Sequence, residues 1–412
     1  MKNFKDSGIE WLGEIPQDWE IKPLKAVFNQ RNEQNTNLKL CTILSLIKDI
    51  GVVPYEEKGN IGNKSKEDLK NYKIARINDL VLNKMNAAIG SLGVSAYNGL
   101  VSPIYLVFYI NNPKYLMSYY SYLFQIKSVQ KFLKIYAYGI MEIRESIDYL
   151  DFKKMSLPVP PLKVQEQIAN FLDEKCEKIA NFIEKKEKLI SLLKEQKQVL
   201  INETITKGLD KNVKFKDSGI EWLGEIPQHW NILKLKHIAS LRNQKSNNID
   251  FRIGLENIES KTGKFIPSSE VVFEEDGIGF KKGDILFGKL RPYLAKVFLT
   301  DRDGICVSEF LVLKIKSESN KFIKFLMLSS LFIDIVDSST YGTKMPRANW
   351  EFIGNLKIPL PPLKEQEQIA KFLDEKCEKI DLLIEKTKKQ IKLIKEYKTT
   401  LINQAVCGRI NL

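Results

Sequence analysis

Few residues of this 412-residue chain could carry out chemistry, and their spacing forms no catalytic motif. Only two histidines occur, His229 and His237, so a histidine-based triad or metal site would depend on one of them. The five cysteines are odd in number and contain no Cys-x-x-Cys pair, which argues against a disulfide framework and a zinc site. We therefore expect reduced cysteines, no metal and no cofactor.

One stretch is similar to a nucleotide-binding loop but departs from it at a residue that the function requires. Gly283 to Lys289 has the G-x-x-x-x-G-K spacing, but Leu290 stands where Ser or Thr would bind magnesium. The central Ile-Leu-Phe is typical of a strand and not of a loop that exposes backbone amides to phosphate. Asn-Pro-Pro-Tyr and Asp-Pro-Pro-Tyr, which would indicate an amino-methyltransferase, do not occur. The sequence thus favours binding over catalysis.

The remaining candidates are polar, basic and aromatic side chains beside glycine- or proline-containing turns. A Tyr-Gly pair precedes an arginine by the same step in each half of the chain, as Tyr138 before Arg144 and Tyr341 before Arg347. Such an arginine could bind guanine or phosphate with two hydrogen bonds, or form a surface salt bridge, and both alternatives stay open. The candidate DNA-binding residues are Asn83, Lys84, Asn86, Tyr138, Arg144, Lys289, Arg291, Tyr293, Lys344, Arg347 and Asn349.

Composition and charge limit the partners. The net charge of +13 points to a polyanion, with nucleic acid ahead of a membrane surface, although many ordinary proteins carry a similar excess. The excess is spread over both halves of the chain and does not form a basic tail. No apolar run is long enough to cross a bilayer, and the first residues contain no apolar signal region. We expect a cytoplasmic protein of two or three domains.

A duplication organises the chain. Phe4–Trp19, the first box, returns as Phe215–Trp230, the second box, and the single change is Asp18 to His229. Chance does not explain such a match, so the chain contains two copies of one ancestral unit.

A second repeat follows at a different offset. Pro160–Ile179 returns as Pro361–Ile380 with eighteen of twenty residues identical. The first insert, residues 20–157, and the second insert, residues 231–358, share little further identity. Two nearly identical frames therefore hold two different inserts.

Each frame ends in a predicted long helix. Residues 162–207 and 363–407 contain neither Pro nor Gly, follow Pro-Pro pairs, and end beside Gly208 and Gly408. Apolar residues recur there in steps of four and three, which predicts a coiled coil that pairs the two helices in either direction. The seam residues are Leu172, Cys176, Ile179, Ile183, Ile190, Leu193, Leu200, Leu373, Cys377, Ile380, Ile384, Ile391, Ile394 and Leu401.

Both inserts have the patterns of α/β domains. The first has strand patterns at 79–82 and 104–110 and a helix pattern over 115–136. The second has strand patterns at 271–273, 284–287, 295–299 and 310–315 and a helix pattern over 320–336. The order of elements is alike although the residues differ.

The whole chain resembles the specificity subunit of type I restriction-modification systems. The matching motifs are Trp-Leu-Gly-Glu-Ile-Pro-x-x-Trp at Trp11–Trp19 and Trp222–Trp230, and Pro-Pro-Leu-x-x-Gln-Glu-Gln-Ile-Ala at Pro160–Ala169 and Pro361–Ala370. The resemblance implies that each insert is a target recognition domain for one half of a bipartite, asymmetric site in double-stranded DNA. It also implies helices that set the spacer and dock two methyltransferase subunits, and restriction subunits that join through the complex. Methyl transfer and ATP-driven restriction would belong to those partners.

The resulting expectation is an α/β (α+β) protein with two globular recognition domains with twisted sheets, and two long helices in an antiparallel coiled coil, related by a pseudo-twofold repeat. The expected boundaries are 1–158 for the first domain, 159–209 for its helix, 210–359 for the second domain and 360–412 for its helix. A coiled-coil adaptor without a nucleic-acid role and a self-sufficient nuclease or methyltransferase stay open as alternatives. A gel shift of the assembled complex that showed no salt-sensitive DNA binding would favour the adaptor, and cleavage or methyl transfer by the purified chain alone would favour the enzyme.

Overall fold

The computed structural model describes residues 3–38, 40–59, 69–138, 146–246, 251–267, 277–342 and 344–412. The chain divides into two compact units. The first unit comprises Met1–Lys185 and Gln390–Leu412, and the second comprises Lys186–Lys389. Each unit therefore contains one box, one insert and a segment of each long helix. Within the described ranges, no helix has an apolar stretch that could cross a membrane.

The first insert and its frame form short strands and helices that lead into a long helix. The strands are β1 (Phe4–Asp6), β2 (Glu14–Pro16), β3 (Glu20–Pro23), β4 (Asn29–Gln30), β5 (Leu44–Ile47), β6 (Gly51–Pro54), β7 (Lys73–Ala75), β8 (Leu80–Asn83), β9 (Leu92–Val94), β10 (Gly99–Val101), β11 (Tyr105–Tyr109), β12 (Ala137–Tyr138), β13 (Ser146–Ile147) and β14 (Ser156–Val159). The helices are α1 (Leu24–Val27), α2 (Met117–Leu123), α3 (Lys127–Phe132), α4 (Tyr149–Phe152) and α5 (Leu162–Lys207).

The second insert and its frame have a similar order of elements, without a counterpart of the β12–β13 ladder among the described strands. The strands are β15 (Phe215–Asp217), β16 (Glu225–Pro227), β17 (Asn231–Lys234), β18 (Ala239–Leu241), β19 (Lys245–Ser246), β20 (Arg252–Ile253), β21 (Gly277–Phe280), β22 (Ile285–Gly288), β23 (Val297–Leu299), β24 (Gly304–Cys306), β25 (Phe310–Ile315) and β26 (Lys357–Leu360). The helices are α6 (Leu235–Ile238), α7 (Asn320–Leu328), α8 (Ser330–Ser338), α9 (Trp350–Asn355) and α10 (Leu363–Val406).

An antiparallel four-stranded sheet lies at the centre of each unit. Its strand order is β4-β11-β8-β9 in the first unit and β18-β25-β22-β23 in the second. The register is also the same, because Asn83 pairs with Tyr105 and Gly288 pairs with Phe310. Strands β8 and β22 are buried along their whole length, which explains their continuous apolar sequences. The expected α/β fold class is confirmed, although the inserts share little identity.

The predicted helices of the inserts are shorter than expected. Residues 320–336 were predicted as one helix, which is wrong, since α7 ends before Ser329. That residue is extended (φ −65°, ψ 142°), and its hydroxyl accepts a hydrogen bond from the amide of Phe332, so it caps a new helix, α8.

The helix predicted over residues 115–136 is also divided, into α2, α3 and a 3-10 turn at Leu133–Tyr136. The carbonyl of Phe124, just after α2, accepts a hydrogen bond from the side-chain amide of the buried Gln130 (3.0 Å). A side chain therefore satisfies a backbone group that a continuous helix would have satisfied. The strand predicted at 271–273 lies outside the described residues.

The two long helices are confirmed, and they pair in opposite directions. In the first unit, Leu172 near the start of α5 shares a core with Leu401 near the end of α10. In the second unit, Ile201 near the end of α5 shares a core with Ile369 near the start of α10. Every seam residue named above is buried or half-buried. Burial raises the pKa of the Cys377 thiol in this seam to about 11.

Each box packs against the end of the helix from the other repeat. In the first unit, a Cβ added to Gly408 would lie 2.8 Å from Cζ2 of Trp19. In the second unit, a Cβ added to Gly208 would lie 3.1 Å from Cζ2 of Trp230. The hydroxyl of Tyr119 also donates to the carbonyl of Val406 (3.0 Å). Each unit thus includes the end of the helix from the other repeat, and in the first unit that helix end lies at the opposite end of the chain from the box it contacts.

A glutamine fixes the start of each long helix to its insert. Gln165 and Gln366 are fully buried, and their side-chain oxygens accept the amides of Leu116 and Ser319. Each side-chain amide also donates to the first proline carbonyl of its own Pro-Pro pair, at 2.8 and 2.9 Å respectively. The repeated Gln is therefore a structural group of the frame.

Candidate nucleic-acid interface

Two loops of the second unit bring the candidate residues of the second insert together. The loop after β22 and the loop before α9 are joined by backbone hydrogen bonds. The amide of Ala348 donates to the carbonyl of Lys289 (2.9 Å), and the amide of Arg291 donates to that of Pro346 (2.8 Å). These loops carry Lys289, Arg291, Tyr293, Lys344, Arg347 and Asn349.

Two of these candidates already have protein partners. The Arg347 guanidinium pairs with the carboxylate of Glu309, with Nη2 2.9 Å from Oε1, and this hydrogen bond raises the pKa of Arg347. Asn349 caps α9, since its side-chain oxygen accepts the amide of Phe352 at 2.8 Å. Base contact by either residue stays a prediction, and in both cases the group is held in position by the protein.

The other four candidates of the second unit face solvent to different degrees. Arg291, Tyr293 and Lys344 are exposed, and Lys289 is half-buried. Arg291 has a left-handed backbone (φ 52°) directly before the 3-10 turn Pro292–Leu294. Non-glycine residues seldom adopt this conformation, which costs about 1–3 kcal/mol and is concentrated at functional sites. The turn thus holds an arginine outward from a constrained backbone.

The candidates of the first unit occupy the corresponding turn after β8. The carbonyl of Lys84 accepts the amide of Ile147 (3.0 Å), which joins this turn to the segment before α4. The side-chain oxygen of Asn83, a buried residue, accepts the amide of Met85 (3.0 Å) and so stabilises the turn itself. Asn86 is exposed at the start of the following 3-10 turn.

Tyr138 lies at the edge of the same loop region. It pairs with Ser146 in a two-residue ladder, and 58% of its surface is exposed. Tyr341, the matching tyrosine of the second unit, is likewise 61% exposed. Arg144 lies outside the described residues, so its predicted role stays a prediction.

The two turns have the same backbone hydrogen-bond pattern. In each unit, the turn returns to the sheet through one bond and is tied to the loop before a short helix through another. The bond that returns to the sheet runs from the amide of Asn83 to the carbonyl of Ser91 in the first unit, and from Gly288 to Lys296 in the second. The bond to the loop before the short helix runs from Ile147 to Lys84 in the first unit, and from Ala348 to Lys289 in the second. Two inserts of different sequence therefore present different side chains from turns with the same hydrogen-bond pattern.

An ion pair between a partly buried arginine and a buried aspartate in each unit escaped the sequence interpretation. Arg31 pairs with Asp79 (2.7 Å) just before β8, and Arg242 pairs with Asp284 (2.8 Å) just before β22. Hydrogen bonding to Asp79 raises the pKa of Arg31. Each arginine lies twelve residues after the last tryptophan of its box, and each aspartate directly precedes an apolar run. An alignment of the two inserts that starts from the boxes would have revealed the matching arginines.

The same geometry explains the stretch that is similar to a nucleotide-binding loop. Residues Ile285–Gly288 form a buried strand, and the carboxylate of Asp284 is occupied by Arg242. Within the described part of the chain, no group of three or more His, Cys, Asp or Glu side chains is placed to hold a metal ion.

Comparison with known families gives the same duplicated arrangement. The family model described as Type I restriction modification DNA specificity domain matches residues 16–200 and again residues 227–393. The two matches cover most of the chain and coincide with the two repeats. The chain belongs to this type I specificity family. The resemblance inferred from the boxes and helix starts is thereby confirmed, as is its general role in DNA recognition.

Relatives in this family match over long stretches. A chain of Methanocaldococcus jannaschii assigned to the MjaX type I restriction enzyme as its specificity subunit is 27% identical over 100% of this chain and 97% of its own length. The MjaVIII specificity subunit of the same organism is 28% identical over 71% of this chain and 70% of its own length. The family relation therefore spans both repeats.

Solved structures share the fold. A chain from a study of complex assembly and conformational transition in a type I R-M system has a TM-score of 0.72 at 12% identity, covering 96% of this chain and 99% of that one. The HsdS subunit of Thermoanaerobacter tengcongensis has a TM-score of 0.56 at 14% identity, covering 96% and 98%. At such identities the likeness concerns the fold alone.

Proposed function

We propose that this specificity subunit recognises one bipartite, asymmetric DNA sequence, and that each unit recognises one half of it. The observation that carries the proposal is the shared turn, which presents Lys84 and Asn86 in one unit and Lys289 and Arg291 in the other. Turns with the same hydrogen-bond pattern give two corresponding reading positions, and unequal side chains give two different half-sites. Phosphate contacts would supply salt-dependent affinity, and a few base-edge contacts would supply the sequence.

The long helices take the role of a spacer and a docking frame in this proposal. Recognition of both half-sites from one face of DNA needs a defined separation, on the order of one helical turn. Two nearly identical frames offer equivalent places for two methyltransferase subunits, through which restriction subunits would join. The chain itself would be non-catalytic, and it would work in the cytoplasm within that complex.

The test is methylome sequencing of a host with and without this chain, in the presence of its methyltransferase partner. We expect methylation at one two-part motif that depends on the chain. Removal of one heptad from both α5 and α10 should change the spacer and leave the half-site sequences intact. Methylation by the partner alone at the same motif, or catalysis by the purified chain, would contradict the proposal.

A further inference from the structure

The two turns place one residue of each unit at the same point of the same hydrogen-bond pattern, although the backbone angles there differ, with φ −124° at Asn86 and 52° at Arg291. In the first unit, the amide of Ile89 donates to the carbonyl of Asn86. In the second, the amide of Leu294 donates to the carbonyl of Arg291. Both residues immediately precede a 3-10 turn, Ala87–Ile89 or Pro292–Leu294. Asn86 and Arg291 are therefore structural counterparts although nothing in the local sequence aligns them.

Both side chains are exposed and available to an outside partner. Among the described residues, neither the side-chain carboxamide of Asn86 nor the guanidinium of Arg291 takes part in a hydrogen bond or ion pair. Their neighbours contrast with this, because Asn83 caps its own turn and Arg347 is paired with Glu309. An exposed donor group without a protein partner is suited to hydrogen-bond the edge of a ligand.

The surroundings of Asn86 are apolar. Met85, Ile89 and Ile104 are exposed to 49%, 51% and 50%, respectively, and with Asn86 they line a cleft of about 470 Å³. Three large apolar side chains lie half-exposed around the side-chain amide of Asn86. They indicate contact with a partner surface that is itself partly apolar.

The surroundings of Arg291 are charged at the equivalent place. Ile104 directly precedes the central strand β11, and Glu309 directly precedes its counterpart β25. The register of those strands is the same, so Glu309 replaces Ile104 in the second unit. The carboxylate of Glu309 is held there by Arg347.

These two sets of groups match different base pairs. In the major groove, an A·T pair presents the N6 and N7 edge of adenine, which suits an Asn amide, and the methyl group of thymine, which suits an apolar side chain. A G·C pair presents O6 and N7 of guanine, which suit arginine, and the N4 amino group of cytosine, which suits a carboxylate. Resting on the proposed function, we propose that Asn86 with Ile104 recognises an A·T pair in one half-site, and Arg291 with Glu309 recognises a G·C pair in the other.

The first test compares methylomes directed by wild type, Asn86→Ala and Arg291→Ala. We expect Asn86→Ala to relax one position that is A·T in wild type, and Arg291→Ala to relax one position that is G·C in the opposite half-site. Discrimination at that position should fall roughly ten- to a hundredfold. The intact second half-site in each variant reports correct folding. Lys25→Ala and Lys236→Ala, exposed substitutions on the short helices α1 and α6, serve as matched controls and should leave the motif unchanged.

The second test uses the wild-type complex and altered DNA, so it does not depend on how variants fold. Replacing the relevant thymine by uracil removes only its methyl group and should weaken binding several-fold, and Ile104→Ala should abolish that difference. Replacing the relevant guanine by 7-deazaguanine should weaken binding through the loss of N7. If wild type directs a bipartite motif but neither substitution nor base analogue has the stated effect, the base assignment is wrong and the proposed function stands. If wild type directs no motif, the proposed function itself is wrong.

Discussion

The Nε2 atom of His229 lies 2.9 Å from the Oε2 atom of Glu365. His229 is the single difference between the two boxes, and Glu365 is one of the two differences between the repeated helix starts. In the first repeat, the corresponding residues are Asp18 and Val164. The other oxygen of Glu365 accepts a hydrogen bond from the buried Trp230 at 3.1 Å. Two rare differences between the copies thus meet in one unit, as expected if they changed together.

Replacing His229 by Asp should destabilise the second unit, because it places a second carboxylate beside Glu365. We expect a loss of about 0.5–1 kcal/mol, kept small by the partial exposure of both side chains. The double variant His229→Asp with Glu365→Val reproduces the residues of the first repeat. It should recover the stability that the single variant loses through repulsion between the two carboxylates. Urea denaturation of the four members of the cycle measures the coupling. The matched control is Asp18→His, which faces no such carboxylate and should change little; equal losses for both box variants would contradict this account.

Gly408→Ala should destabilise the first unit more than Gly8→Ala. Both glycines have positive φ, 73° and 67°, but a Cβ at Gly408 would meet Pro16 and Trp19, whereas a Cβ at Gly8 would meet nothing within 4 Å. Backbone strain alone costs about 1–2 kcal/mol, and overpacking adds about 1–3 kcal/mol. The two midpoints of thermal unfolding give the comparison. Equal shifts would mean that the end of α10 does not support the first box.

The two glutamines of the repeated Gln-Glu-Gln motif should respond differently to substitution. Gln165 is fully buried with three hydrogen bonds, whereas Gln167 is exposed. Gln165→Ala leaves the amide of Leu116 without its partner and should cost about 1–3 kcal/mol. Gln167→Ala should stay within about 0.5 kcal/mol of wild type. Denaturant unfolding distinguishes them, and a large loss at Gln167 would indicate a role that the fold does not explain.

An ion pair inside the helix seam should make stability depend on pH. Lys197 lies 2.8 Å from Asp381, which Lys264 also contacts. Burial alone would raise the pKa of Asp381, but hydrogen bonds and charge from both lysines outweigh burial and lower it. A carboxyl group with a lowered folded pKa stabilises the fold above its unfolded pKa, and that contribution is lost as the pH falls. Below about pH 4, wild type should therefore lose stability more steeply than Asp381→Asn.

The same pair predicts a difference between single and double replacement. Lys197→Met should cost about 2–3 kcal/mol, less than for a fully buried pair, because Asp381 keeps Lys264. Lys197→Met with Asp381→Leu should restore most of that stability, since no charge is left unpaired in the seam. Unfolding at neutral pH measures both variants. A double variant weaker than the single one would show that the pair itself holds the helices together.

The frame could be predicted from sequence because its signals are local. The Pro-Pro starts, the glycine ends and the seam spacing fixed α5 and α10, and the fold class followed from the strand patterns. The packing of Trp19 against Gly408 could not be predicted in this way. No local signal states that a box at the start of the chain meets a helix end at its other terminus.

The structure of the inserts was harder to predict from sequence, for a physical reason. The shared turn is built from backbone hydrogen bonds, which many side chains allow, so Asn83 and Gly288 occupy one position without resembling each other. Periodicity also merged α7 and α8, because the hydroxyl of Ser329 that separates them acts through a single capping bond. Candidate residues were therefore found by type and placed by the structure, and their contacts with DNA stay predictions.

The most direct test of the central claim exchanges one insert. Residues 20–157 would be replaced by the corresponding segment of another family member, and the methylated motif would be determined by methylome sequencing with the same methyltransferase partner. If each unit recognises one half-site, only one half of the motif should change, while the other half stays the same. A change in both halves, or in neither, would contradict the assignment of one half-site to each unit.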